Sequence, residues 1–178
     1  MSEPVLIPAW GPDGVLRPVE KLEAHRRGLR HPAISVFVFD EAGRTLIQKR
    51  AAGKYHTPGL WANACCTHPH WGEDMLHCAE RRVHQELGLE LALEPRGEIE
   101  YWADVGGGLF EHEVVRLFVH DGRAADLVPR PDPVEVAETR WVTLDRLRRE
   151  IAQTPEAFTP WLRIYLAEHA DKVLPEHA

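Results

Sequence analysis

Hydrophobic positions along this chain cluster into stretches that predict a mixture of strands and helices. Residues 33–39 form a continuous apolar run rich in β-branched and aromatic side chains, the pattern of a strand. Asp40-Glu41-Ala42-Gly43 then turns the chain into a second strand over 44–49, which predicts a hairpin. Residues 61–65 add a short strand. From Asp74 to Leu87 the apolar residues Met75, Ala79, Val83 and Leu87 recur at every fourth position and Gly88 follows, so this is the clearest helix. Residues 20–27 predict a short helix stopped by Gly28. Strands are expected over 98–103 and 111–119, on either side of the glycines at 106–108, and over 139–142. Helices are expected over 144–151 and 155–169, the second with Thr154 as N-cap before Pro155. Elements in this order suggest an α+β sandwich, one domain over 1–178.

Composition narrows the field. With 178 residues, 44% of them hydrophobic, the chain can bury the core of one compact domain. No run reaches the roughly 18 to 20 apolar residues that span a bilayer, and residues 1–10 have neither the basic start nor the apolar stretch of a signal peptide. A cytoplasmic protein is expected, monomeric or weakly dimeric. Three cysteines, with Cys65 and Cys66 adjacent, cannot build a disulfide framework and fit a reducing compartment. A net charge of -7 argues against a nucleic-acid surface, which needs a basic patch, yet leaves room for a small phosphorylated ligand. Eleven histidines raise the prospect of a metal site.

Candidate chemistry starts at Asn63, Cys66 and His68. Alternate residues of an extended segment point to one side, so the Cys66 thiol and the His68 imidazole project together, and a thiol beside an imidazole can act as base or nucleophile. Taken alone, the tripeptide reads more readily as a buried cysteine next to a surface histidine. Glu111 and Glu113 alternate in the same way and offer two carboxylates to one cation, although such a pair is more often a solvated strand face. With His25 and His31 added, the set becomes three imidazoles and two carboxylates, suited to Zn2+, Mn2+ or iron rather than to Ca2+. Arg82 and Glu86 stand one helical turn apart, a cation for phosphate beside a carboxylate for Mg2+, although by itself the pair reads as an ordinary surface ion pair. Lys21, Arg50 and Lys54 lie near element ends, where phosphate contacts are common.

Gly72-Glu73 followed by Arg81-Arg82-Val83-His84-Gln85-Glu86-Leu87-Gly88-Leu89 resembles the Nudix box. The box is altered: Thr67 stands in place of its first glycine, Arg82 and Gln85 replace glutamates, and only Glu73 and Glu86 remain of the acidic set. In Nudix hydrolases those glutamates gather the metals that activate water, so this altered box argues against hydrolysis. The rest of the chain is similar to the type I isopentenyl-diphosphate isomerases, a Nudix-fold family. The likeness rests on Glu20-Lys21 with His25, the run from Arg50 to Pro58-Gly59, Trp61-x-Asn63-x-x-Cys66-x-His68-Pro69, Tyr101, Glu111-x-Glu113 and Phe158-Thr159-Pro160-Trp161. Thr57 stands where that pattern has a tryptophan.

The resemblance implies an α/β/α sandwich around a mixed sheet and the conversion of isopentenyl diphosphate to dimethylallyl diphosphate. It implies a Mn2+ or Zn2+ ion on His25, His31, His68, Glu111 and Glu113. It also implies Mg2+ on the substrate diphosphate, held through Glu86 and the backbone carbonyl of Cys66, and phosphate contacts from Lys21, Arg50, Lys54 and Arg82. Protonating an unactivated alkene needs a strong acid, assigned to Glu113 with Tyr101 assisting; Cys66 is the base on the opposite face, and Trp161 shields the cation. The alternative is a Nudix diphosphate hydrolase.

Overall fold

The computed structural model describes residues 4–174, so the expected single domain over 1–178 extends past the described part at both ends. The chain runs β1 (Leu6–Trp10), β2 (Leu16–Glu20), α1 (Lys21–Arg27), β3 (Arg30–Asp40), β4 (Arg44–Arg50), β5 (Trp61–Asn63), β6 (Cys65–Thr67), α2 (Met75–Leu87), β7 (Glu94–Gly106), β8 (Leu109–Gly122), β9 (Val136–Thr143), α3 (Leu144–Gln153), α4 (Pro160–Glu168) and α5 (Ala170–Val173). The main sheet has the order β5-β4-β3-β8-β7, with β6 added to β3 and β9 to β4, while β1 and β2 form a separate hairpin. β3 and β8 pair in parallel and the other ladders are antiparallel, so the sheet is mixed.

The unbroken apolar run in β3 follows from its position between two layers. Ala33, Phe37 and Phe39 pack with Leu147 of α3 and Trp161, Leu162 and Tyr165 of α4. Ile34, Val36 and Val38 pack on the other face with Cys78, Ala79, Val83 and Leu87 of α2. Helices therefore cover both faces of the sheet, as the sandwich reading expects. No helix among the described residues is long and apolar enough to cross a membrane.

Three expectations need correction. The hairpin at 40–43 exists, but β3 and β4 pair only at Phe39↔Thr45, because the earlier part of β3 takes β6 as its neighbour. Residues 61–65 are not one strand: the chain breaks at Ala64, leaving β5 on β4 and β6 on β3. The last helix starts at Pro160, not at 155. Pro155–Ala157 forms a 3-10 turn, and the Thr154 hydroxyl donates to the Glu150 carbonyl at 3.1 Å instead of capping. Phe158 then runs extended beside Trp61 and is 2% exposed, and the Thr159 N–H donates to the Trp61 carbonyl at 2.9 Å. Burying Phe158 this way moves the helix start to a second proline, a residue well suited to a first helical position.

Candidate active site

The last turn of one short helix and three neighbouring strands, β6, β3 and β8, bring the histidines and glutamates together. α1 is capped by the Glu20 carboxylate, which accepts from the N–H groups of Leu22 and Glu23 at 2.9 Å, and it stops at Gly28 in the left-handed conformation. His25 lies in its last turn and donates through Nδ1 to the Lys21 carbonyl at 2.7 Å. His31 donates through Nδ1 to the Leu29 carbonyl at 2.6 Å. Register does the rest: His31 stands beside Glu113 across β3 and β8, and Tyr101 beside Glu113 across β7 and β8. The rings of His25, His31 and His68 form a triangle with centroids 4.8 to 5.0 Å apart.

His68 Nε2 lies 2.8 Å from Glu113 Oε1, and His31 Nε2 lies 3.6 Å from the same oxygen. The Tyr101 hydroxyl sits 2.7 Å from Glu111 Oε2 and 2.9 Å from Glu113 Oε2. One phenolic proton cannot satisfy both acids, so the three groups together accommodate one more. Burial and the neighbouring Glu113 charge push Glu111 well above the carboxylate range. Burial acts on Glu113 too, but His68 and His31 outweigh it and hold Glu113 well below that range. The two carboxylates are thus pushed in opposite directions, Glu111 toward keeping a proton and Glu113 toward giving one up.

A metal ion fits these residues. His25, His31, His68 and Glu113 present ligand atoms within 4.8 Å of one another, and all four are buried. His31 Nε2 is buried without a hydrogen-bond partner. Both His25 and His31 give their Nδ1 proton to a backbone carbonyl, the arrangement that orients a ligating imidazole with its Nε2 as the acceptor, which in His25 meets the Tyr55 hydroxyl at 3.4 Å. His56, unread in the sequence, forms a second group with His25 and Glu111 on the same spacing.

Lys21, Arg50, Lys54 and Arg82 line one cavity together with Cys66, His68, Tyr101, Glu111, Glu113 and Trp161. Burial and the nearby charges of Lys54, Arg82 and Arg50 lower Lys21 to about 8, the mark of cations crowded together. Glu86 is buried, and its carboxylate accepts from Arg82 and, at 2.8 Å, from the Gln48 amide, so it is engaged by these partners instead of joining the histidine cluster. Glu135 also went unread: it pairs with Lys54 and lies 3.3 Å from Arg82. Glu73, the other retained acid of the box, clips Arg81 at 2.6 and 2.8 Å and accepts from the His70 N–H, a structural role at the start of α2.

Cys66 and Cys65 point to opposite faces, Cys65 under α2 and Cys66 toward the α4 layer, and all three cysteines are free. Cys66 and His68 both line the cavity, but His68 Nε2 meets Glu113 and not the thiol, and the histidine read as a surface residue is buried. The Cys66 thiol instead donates to Asn63 Oδ1 at 3.0 Å and lies 3.1 Å from Ser35 Oγ, opposite which β3 holds it in register. Burial pushes this thiol up. Trp161 is 2% exposed, packs in the core and lines the cavity, its ring 5.3 Å from the Arg50 guanidinium.

Residues 29–162 match the NUDIX domain family. Isopentenyl-diphosphate Delta-isomerase of Rhodobacter capsulatus is 58% identical over 96% of this chain and 96% of its own length. Isopentenyl-diphosphate Delta-isomerase of Cereibacter sphaeroides is 61% identical over 96% and 95%. The chain belongs to the isopentenyl-diphosphate Delta-isomerase family. The NUDIX fold of this isomerase family member is matched by a Deinococcus radiodurans protein with a TM-score of 0.70 at 16% identity, covering 93% of this chain and 97% of that one. A MutT NUDIX hydrolase from Burkholderia pseudomallei aligns with a TM-score of 0.59 at 22% identity, covering 77% and 95%. These two likenesses concern the fold; the relatives named as isomerases favour isomerisation over hydrolysis.

Proposed function

We propose that the chain converts isopentenyl diphosphate to dimethylallyl diphosphate by protonating the alkene to a tertiary carbocation and removing a proton from the neighbouring carbon. The observation that carries this reading is the shared cavity, where four cations suited to a diphosphate face buried groups suited to moving protons. An isolated alkene has no carbonyl to absorb negative charge, so protonation is the open route, and it demands a strong acid.

Glu113 is the side that gives the proton: it is loaded through the Tyr101 hydroxyl, which is hydrogen-bonded to both acids, from the Glu111 side before the alkene is protonated. Cys66 is the side that takes one. β6 and β8 flank opposite edges of β3, so thiol and carboxyl reach the cavity from different strands on either side. Acting as base requires the thiolate, which burial opposes and a hydrogen bond donated by the Ser35 hydroxyl, 3.1 Å away, favours. Trp161 helps keep water from the cation and offers it a π face.

His25, His31, His68, Glu111 and Glu113 would hold a Mn2+ or Zn2+ ion. Such an ion supplies Lewis acidity, which strengthens an acid in contact with it. Mg2+ would come with the diphosphate, with Glu86 and the Cys66 carbonyl as its protein oxygens. Lys21, Arg50, Lys54 and Arg82 would hold the phosphates, which requires Arg82 to turn from Glu86. The experiment is to supply isopentenyl diphosphate with Mg2+ and measure product isomer and free phosphate together. Dimethylallyl diphosphate without phosphate release supports the proposal; phosphate release without isomer returns the hydrolase alternative.

A further inference from the structure

The segment between β4 and β5 carries Lys54 and, two residues on, His56, which is 6% exposed although it belongs to no helix or strand. Its position is fixed from several sides. The Arg50 guanidinium donates to the His56 carbonyl at 3.2 Å, and His56 Nδ1 lies 3.0 Å from Thr57 Oγ1. The ring stacks on His25 with centroids 5.6 Å apart and meets the Trp161 ring edge-on at 5.8 Å. Thr57 has φ 46, the one positive value at a non-glycine among the described residues, a strained conformation that persists only where its surroundings enforce it. The strained residue is the one whose hydroxyl meets the His56 ring.

What this arrangement leaves free is His56 Nε2. It lies 3.5 Å from Glu111 Oε1, and ligand atoms of His56, His25 and Glu111 all lie within 4.8 Å of one another. His25 belongs to this group and to the group of His31, His68 and Glu113. Because its Nδ1 is committed to the Lys21 carbonyl, His25 has one lone pair to give, so the two groups cannot hold an ion each through it. An ion held through His25 therefore borders both groups, and His56 Nε2, outside the first group as it stands, has to close on that ion to ligate it. We infer that His56 is a further ligand of that ion, through Nε2, giving four imidazoles and two carboxylates. The proposal rests on reading the His/Glu cluster as a metal site. Its consequence is that metal occupancy pins the segment carrying Lys54, tying the ion to the anion-binding wall.

The test uses the full chain stripped with a chelator and reloaded. Histidine 15N spectra of the zinc-loaded wild type should show coordinated nitrogens from four rings, with the His56→Gln protein showing three. Competition against a chelator should show zinc affinity in His56→Gln lowered at least tenfold, and the visible spectrum of its Co2+ form should differ from that of the wild type. Equal thermal unfolding of the two metal-free proteins checks that the variant is folded, and if it is not, the wild-type spectrum alone decides. Three coordinated rings in the wild type, or unchanged affinity and an unchanged Co2+ spectrum in a folded His56→Gln, overturn the role of His56 while leaving the metal centre intact. A wild type that binds neither Zn2+ nor Co2+ overturns the metal centre itself.

Discussion

His31 Nε2 lies 3.6 Å from Glu113 Oε1 because the parallel pairing of β3 and β8 sets these two residues side by side. A buried imidazole facing a buried carboxylate at that distance, with a second imidazole closer still, is an arrangement that a cation completes. The protein should retain one divalent transition ion per chain through dialysis, as read by elemental analysis, and His31→Ala should lose most of it. Full activity with Mg2+ alone, after a chelator has removed every other ion, would contradict this.

Cys66 and Cys65 are adjacent but face different layers, so their substitutions should part company. Cys66→Ala is expected to slow isomerisation by about 10²- to 10⁴-fold, the range for losing a positioned acid or base, with the fold intact by circular dichroism. Cys65→Ala and Cys78→Ala should stay near wild-type turnover per folded molecule, since both thiols sit in the core between α2 and the sheet. Comparable rates in Cys66→Ala and Cys65→Ala would remove the thiol from the mechanism.

Lys21 supplies a pH dependence. Burial and its cationic neighbours depress its value to about 8, so its charge is present below that pH and lost above it. Affinity for inorganic diphosphate with Mg2+, measured by calorimetry, should therefore fall as pH rises through about 8. Lys21→Met should bind more weakly at neutral pH and lack that step. A Lys21→Met profile parallel to the wild type would assign the step elsewhere.

Trp161 tests the carbocation. Trp161→Phe keeps much of the packing and weakens the cation–π contribution, worth about 2 kcal/mol when desolvated, so single-turnover rates should fall roughly ten- to thirtyfold. Loss of the Arg50 contact should raise KM as well. A lowered melting temperature with wild-type kinetics would make Trp161 a packing residue alone.

The residues that were legible in the sequence share a physical reason: Glu111-x-Glu113 and Cys66-x-His68 lie in extended segments where alternation sets the facing, and Met75 to Leu87 shows its period directly. The parallel register of β3 with β8 was not legible, because nothing local says which strands meet. The β1–β2 hairpin was hidden by Pro8 and Pro18, which face each other across it and disguise a strand signal. His56 and Glu135 lie outside periodic segments, so no spacing marked them. That His68 is buried against Glu113, 45 residues further on, was not legible either, because the contact joins two segments distant in the chain.

The central claim is that one proton is delivered from the enzyme while another is removed, within a single intact diphosphate. Incubation of the protein with isopentenyl diphosphate and Mg2+ in D2O, followed by mass spectrometry and NMR, tests it directly. The account predicts dimethylallyl diphosphate carrying deuterium in a methyl group, with no phosphate released, and strongly reduced incorporation in Glu113→Gln. Dimethylallyl diphosphate formed without any deuterium would mean that no exchangeable proton is delivered and would contradict it.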